Sequence, residues 1–173
     1  MYLVDDFIEC ALQELTLFPY ETDESKIQSA TPEQVDKYFR GCGYVGVAGN
    51  WEKTGWRGNH GVEWCGVFVA YCLRNVGAKV KWDGNLVNLP NGGDILYVPG
   101  NSRITRGDIA VREPGHHHFI VLDKVLPAAE TAQIKCVEGN AGGSAYPPQL
   151  AVGRRKNTQD NCLKKITHYY RVY

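Results

Sequence analysis

Apolar residues near the start of the chain recur at intervals of three and four: Val4, Phe7, Ile8, Ala11, Leu12 and Leu15. This is the stripe of an amphipathic helix laid on a core. Cys10 stands beside the stripe and reads as a packed side chain. A second helix is predicted from Thr31-Pro32-Glu33-Gln34, which supplies an N-cap, a proline at the first helical position and a capping-box partner. It runs through Phe39 and stops at Gly41 or Gly43. From Gly43 to Gly61 the chain is glycine-rich and carries Asn50, Trp51, Trp56, Asn59 and His60, the composition of a loop forming one wall of a cleft. The most hydrophobic helix is predicted over Glu63 to Val76, with Cys65, Phe68, Val69, Cys72 and Val76 on one side and Gly77 as its C-terminal stop.

A second loop rich in Gly, Asn and Pro spans Asp83 to Gly100. Beyond it, helical spacing gives way to alternation and β-branched runs. Four strands are predicted: Asp108 to Glu113, His118 to Leu126, Gln133 to Glu138 and Lys165 to Tyr173. Turn signals between them are Pro114-Gly115, Pro127 and the glycines at 139, 142 and 143. Helices first and an antiparallel sheet afterwards is the order of an α+β fold. With no internal repeat, low-complexity tract or linker, the chain over 1–173 reads as one domain.

Composition narrows the partners. Lys+Arg and Asp+Glu are both 19, and no basic stripe rises above that balance, which argues against a nucleic-acid ligand. The longest apolar stretch, Gly66 to Leu73, is too short to insert across a bilayer. The segment from Met1 to Cys10 carries Asp5, Asp6 and Glu9 with no Lys or Arg, the reverse of a secretory signal's positive start. The expectation is synthesis in the cytoplasm without a general secretory signal. The six cysteines are Cys10, Cys42, Cys65, Cys72, Cys136 and Cys162, and none forms a Cys-x-x-Cys pair. They read as thiols rather than as zinc ligands or a disulfide framework.

Chemistry concentrates in three places. Cys65 lies at the predicted start of the buried helix, where unpaired backbone N–H groups and the helix dipole favour a thiolate, the nucleophilic form. Alone it would be read as a small hydrophobe, like Cys72 on the same face. Downstream, Gly115-His116-His117-His118-Phe119-Ile120-Val121 places a histidine at the head of an apolar strand, able to face a helix end and exchange protons with a thiol. Strand alternation leaves only His116 and His118 able to share a site, and no partner at ligand spacing supports a metal. Third, Cys136-Val137-Glu138-Gly139-Asn140 puts Glu138 and Asn140 on one face, either able to orient an imidazole. The same residues also suit a plain turn.

Together these pieces resemble the CHAP family of cysteine, histidine-dependent amidohydrolases/peptidases. The resemblance rests on Trp64-Cys65-Gly66-Val67-Phe68-Val69-Ala70-Tyr71-Cys72-Leu73, on Arg106-Gly107-Asp108-Ile109 with the Gly-His…Ile-Val-Leu strand, and on Val137-Glu138-Gly139-Asn140. It runs from about Gly61 to the C-terminal Tyr-Tyr-Arg-Val-Tyr. It implies the papain-like core shared with NlpC-type hydrolases: N-terminal helices, the nucleophile at a helix N-terminus, and an antiparallel sheet. Position by position it implies Cys65 as nucleophile, His118 as general base with His116 as runner-up, Glu138 as third residue and Asn140 as accompanying polar residue. Gly66 following the nucleophile is nearer CHAP than NlpC, where serine is common. Trp51, Trp56, His60 and Trp64 are the expected substrate-binding residues.

The activity so implied is cleavage of an amide in peptidoglycan, between muramic acid and L-alanine or within the stem peptide, through a cysteinyl acyl-enzyme with no metal or organic cofactor. Reserving Cys65 leaves five cysteines, so a fully paired framework is excluded on this reading. The expected setting is an antibacterial effector delivered by a machine such as type VI secretion, or a phage lysin, a monomer acting in the periplasm or cell wall. A cognate immunity protein is the expected partner. Two alternatives stand beside it: a papain-like toxin that deamidates or cleaves a host protein, and a non-catalytic module binding the cell wall or a partner protein.

Overall fold

A computed structural model describes residues 3–16, 32–42, 65–80, 93–113, 117–123, 134, 136–139, 153–155 and 165–173. Among these residues, three helices precede a six-stranded sheet, an α+β arrangement. Helix α1 covers Leu3–Thr16, α2 Pro32–Gly41 and α3 Cys65–Asn75. Phe7, Ile8 and Ala11 of the α1 stripe are buried, while Val4 and Leu12 pack against the core from its margin. Asp5 and Asp6 sit in the first turn of α1, where the helix dipole favours carboxylates.

Helix α3 is the centre of the molecule, with every residue from Cys65 to Leu73 buried. A helix apolar on all sides has to be enclosed on all sides. Helix α3 packs on α1, α2 and two strands of the sheet. Its C-terminus is a glycine cap: Gly77 adopts φ +87°, its N–H donates to the Arg74 carbonyl at 3.0 Å, and the Ala78 N–H donates to the Leu73 carbonyl at 3.0 Å. Those bonds satisfy carbonyls that the helix itself leaves open.

Strands β1 Ile95–Pro99, β2 Ile109–Arg112, β3 His117–Val121, β4 Cys136–Glu138, β5 Gly153–Arg155 and β6 Ile166–Val172 assemble in the order β1-β6-β2-β3-β4-β5, every neighbouring pair antiparallel. Alternation divides their side chains between two cores. Ile109, Val111, Ile120, Val137, Tyr170 and Val172 face the helices, while Ala110, Phe119, Val121, Cys136 and Tyr169 join Ile104 and Ile134 on the opposite face. Both faces are covered, so β2 from Ile109 to Val111 and β3 from His117 to Val121 are buried at every residue.

Two strands differ from the sequence expectation. Ile95–Pro99, assigned to the loop over Asp83 to Gly100, is edge strand β1, paired with β6 from Ile95↔Val172 to Pro99↔His168. Leu96 and Tyr97 are exposed, and Ile95, Tyr97 and Val98 are strand-favouring residues that the loop reading passed over. Gly153–Arg155 has no apolar signature and is a strand through its ladder to β4. Strand β3 also begins one residue earlier than expected, at His117. Leu122 and Asp123 follow it outside the strand, and the expected continuation over 124–126 lies outside the described residues.

The Arg106-Gly107-Asp108 motif is structural. Gly107 has φ +87°, and a Cβ there would strike Val4 of α1, so only glycine allows this approach of helix and strand. Asp108 accepts the Thr105 N–H at 2.9 Å and a two-pronged contact from Arg171, Nε at 3.2 Å and Nη2 at 3.0 Å. Arg106 reaches Asp5 on α1. The β2–β3 hairpin, which carries the histidines, is thereby anchored at its far end to α1 and β6. No helix among the described residues is long and apolar enough to cross a membrane.

Candidate active site

Cys65 is the first residue of α3, and the helix axis runs over β3 and β4. This brings its thiol to the end of the sheet where β3 begins and β4 finishes. The His118 ring lies on the helix-facing side of β3, alternating with Ile120, and its Nδ1 is 3.7 Å from Cys65 Sγ. Both groups are buried.

Glu138 closes β4 and is 1% exposed, a depth at which a carboxylate requires a partner. Its Oε2 lies 2.6 Å from Nε2 of His117. The ladder explains the choice. Val121 pairs with Cys136, so alternation places Phe119 and His117 on the same face of the sheet as Glu138. The His117 ring stacks on that of Phe119, with centroids 6.5 Å apart and planes 30° apart.

The charge of the His117 imidazole also acts on the Cys65 thiol, so two imidazoles influence one sulfur. Alternation sends the two rings to opposite faces of β3: His118 meets Cys65 on the helix side, and His117 meets Glu138 on the other.

The electrostatics follow from this packing. Burial alone would raise the Cys65 pKa, but hydrogen bonds and positive charge from His117 and His118 outweigh it, bringing the thiol down to about 5. Burial alone would lower His117, but the sulfur and the Glu138 carboxylate outweigh it, raising the imidazole to about 9. The two shifts describe one state, a thiolate beside an imidazolium held by a carboxylate. An opposing pair of this kind is how a cysteine becomes a nucleophile near neutral pH.

Other thiols behave differently. Cys42 donates to the Val67 carbonyl at 3.1 Å, and burial pushes it up to about 12. Cys72 is also raised well above its ordinary value by burial. Cys10, Cys42, Cys65, Cys72 and Cys136 are all unbridged. Among the described residues, no group of three or more His, Cys, Asp or Glu side chains is arranged to hold a metal ion.

Of the residues singled out by sequence, Cys65 and His118 come together, while Glu138 bonds the neighbouring His117. Asn140, Trp51, Trp56, His60, Trp64, His116 and Cys162 lie outside the described residues. The residue passed over is His117. Its signal was the two-residue period running back from Val121, which becomes readable only with the β3–β4 register. No protein-family model, curated protein or solved structure matches the chain.

Proposed function

We propose that this chain is a papain-like cysteine amidohydrolase that cleaves an amide of peptidoglycan through a cysteinyl acyl-enzyme. The observation that carries the reading is the buried pair of Cys65 Sγ and His118 Nδ1 at the start of α3, together with the His117 imidazole that Glu138 bonds and whose charge also lowers the thiol. The CHAP-like order of Cys, His and Glu along the chain supplies the substrate class.

In this mechanism the Cys65 thiolate attacks the amide carbonyl, and the S–C bond forms as the carbonyl π electrons move to oxygen. The Cys65 backbone N–H, in the first turn of α3, donates to that oxyanion. His117 gives its proton to the departing amine as the C–N bond breaks, leaving a thioester. It then takes a proton from water, which attacks the thioester and releases the acid and the thiolate. Glu138 holds the His117 ring in orientation and stabilises its charge. His118 Nδ1 faces the sulfur and helps hold the thiolate. The acid–base role is assigned in this proposal to His117, the imidazole that Glu138 bonds and charges, and His118, the ring 3.7 Å from the sulfur, is the alternative that substitution separates.

The setting proposed is that of an antibacterial amidase acting in the periplasm, with a cognate immunity protein as its inhibitor. The test is release of muropeptides from purified peptidoglycan, identified by mass spectrometry, with Cys65→Ala as the control. Loss of release in Cys65→Ala with retained circular dichroism is expected, and the products name the bond. Equal release by wild type and Cys65→Ala would overturn the reading. Expression directed to the periplasm is expected to lyse cells that tolerate the same protein in the cytoplasm.

A further inference from the structure

The large apolar side chains exposed among the described residues are Leu96, Tyr97 and Tyr173, and all of them stand at one edge of the sheet. Leu96 and Tyr97 lie in β1, the end strand of the order β1-β6-β2-β3-β4-β5. Tyr173 follows β6, and its N–H donates to the Asp94 carbonyl at 3.1 Å. At the far end of β1 the Gly100 N–H donates to the Thr167 carbonyl at 2.8 Å. Antiparallel pairing turns the backbone groups of alternate residues toward the neighbouring strand. Asp94, Leu96, Val98 and Gly100 therefore address β6, and the backbone groups of Ile95, Tyr97 and Pro99 point to the outer edge, which no strand among the described residues pairs. Pro99 has no N–H, so the donors on that edge are those of Ile95 and Tyr97.

We propose that this edge is a self-association surface, on which β1 of a second copy of the chain pairs antiparallel across a twofold axis through Leu96. In that register the N–H and C=O of Ile95 in each copy meet those of Tyr97 in the other, so the backbone groups that both residues turn outward are satisfied. Leu96 stands directly opposite Leu96 of the second copy, in the kind of pair that brings side chains closest. Pro99 falls opposite Gly93, where the ladder ends.

The second copy is the occupant because the edge is complementary to itself. From Ile95 to Pro99 no side chain is charged, so the strand lacks the lysine with which an edge ordinarily repels its own kind. The flanking charge, Asp94, is set opposite Val98 and not opposite the other Asp94. A twofold contact of this kind is closed, because it consumes the β1 edge of both copies. Two short strands bury little surface, so the dimer exchanges with monomer on dilution. Nothing in this contact depends on the chemistry proposed for Cys65.

Sedimentation velocity of the full chain in reducing buffer, over a roughly hundredfold range of concentration, tests the proposal. Monomer passing to dimer, with no larger species, is expected. Leu96→Lys sets like charges against each other at the axis and is expected to weaken association by about tenfold or more, with circular dichroism unchanged because the side chain is exposed. Leu96→Glu is expected to do the same, and an equimolar mixture of the two variants is expected to restore the dimer. Wild-type protein that stays monomeric, assembly beyond a dimer, undiminished association of Leu96→Lys, or a mixture that fails to associate would each overturn the proposal.

Discussion

The Glu138 carboxylate takes a hydrogen bond from the His117 ring, Nε2 to Oε2 at 2.6 Å, in a position almost closed to water. That bond engages Nε2 of the ring and, with the Cys65 sulfur, favours positive charge on it. Glu138→Gln keeps the shape and removes the charge. It is expected to lower kcat by about tenfold or more and to move the alkaline limb of the pH profile below about 9, because the carboxylate raises His117. An unchanged alkaline limb would count against this role.

The two histidines can be separated. His117→Ala removes both proton donor and carboxylate link and is expected to cost roughly 10²–10⁴-fold in kcat. His118→Ala, which removes the contact at 3.7 Å, is expected to cost less and to leave the alkaline limb in place. If His118→Ala is the more damaging of the two, the acid–base role belongs to His118.

The pH dependence follows from the two shifted groups. Activity needs Cys65 deprotonated, so kcat/KM rises as pH passes upward through about 5. It needs His117 protonated, so the rate falls as pH passes upward through about 9. A plateau between those values is expected in a profile recorded at constant ionic strength. In His117→Ala the acidic limb moves to higher pH, because an influence lowering the thiol is gone. A single limb near the ordinary cysteine value would refute the ion pair.

Selective alkylation follows from the same chemistry. With limiting iodoacetamide at pH 6, the first adduct found by peptide mass spectrometry is expected on Cys65, while Cys42 and Cys72 remain protonated and unmodified. Modification of Cys42 or Cys72 ahead of Cys65 would contradict the assignment.

A different residue holds the helices together. Glu14 is buried and accepts from Lys37 Nζ at 2.6 Å, Tyr38 OH at 3.0 Å and Tyr71 OH at 3.2 Å, joining α1, α2 and α3. Glu14→Ala strips buried hydroxyls of their acceptor and is expected to destabilise the protein by about 2–4 kcal/mol, read as a lower urea midpoint. An unchanged midpoint would show that the network carries little of the stability.

Much of this molecule is local in origin. The stripe from Val4 to Ala11, the cap at Pro32, the wholly apolar α3 and the glycine stop at Gly77 act within a turn or two of chain, so three helices and the seat of Cys65 were legible in order. So were β2 and β6, whose apolar residues need no partner to declare themselves. The short polar β5 exists through hydrogen bonds to β4, distant in sequence, and no local pattern marks it.

The division is clearest at the histidines. By itself, the sequence determined that a cysteine at a helix start, a histidine at a strand head and a carboxylate at a strand end occur in this chain. Which histidine meets which carboxylate depends on whether Val121 stands opposite Cys136, and a slip of one residue would exchange the faces of His117 and His118. Register is a property of two strands and the cores on both their faces, so the tertiary structure alone decided that Glu138 bonds His117 and that His118 is the ring that meets Cys65.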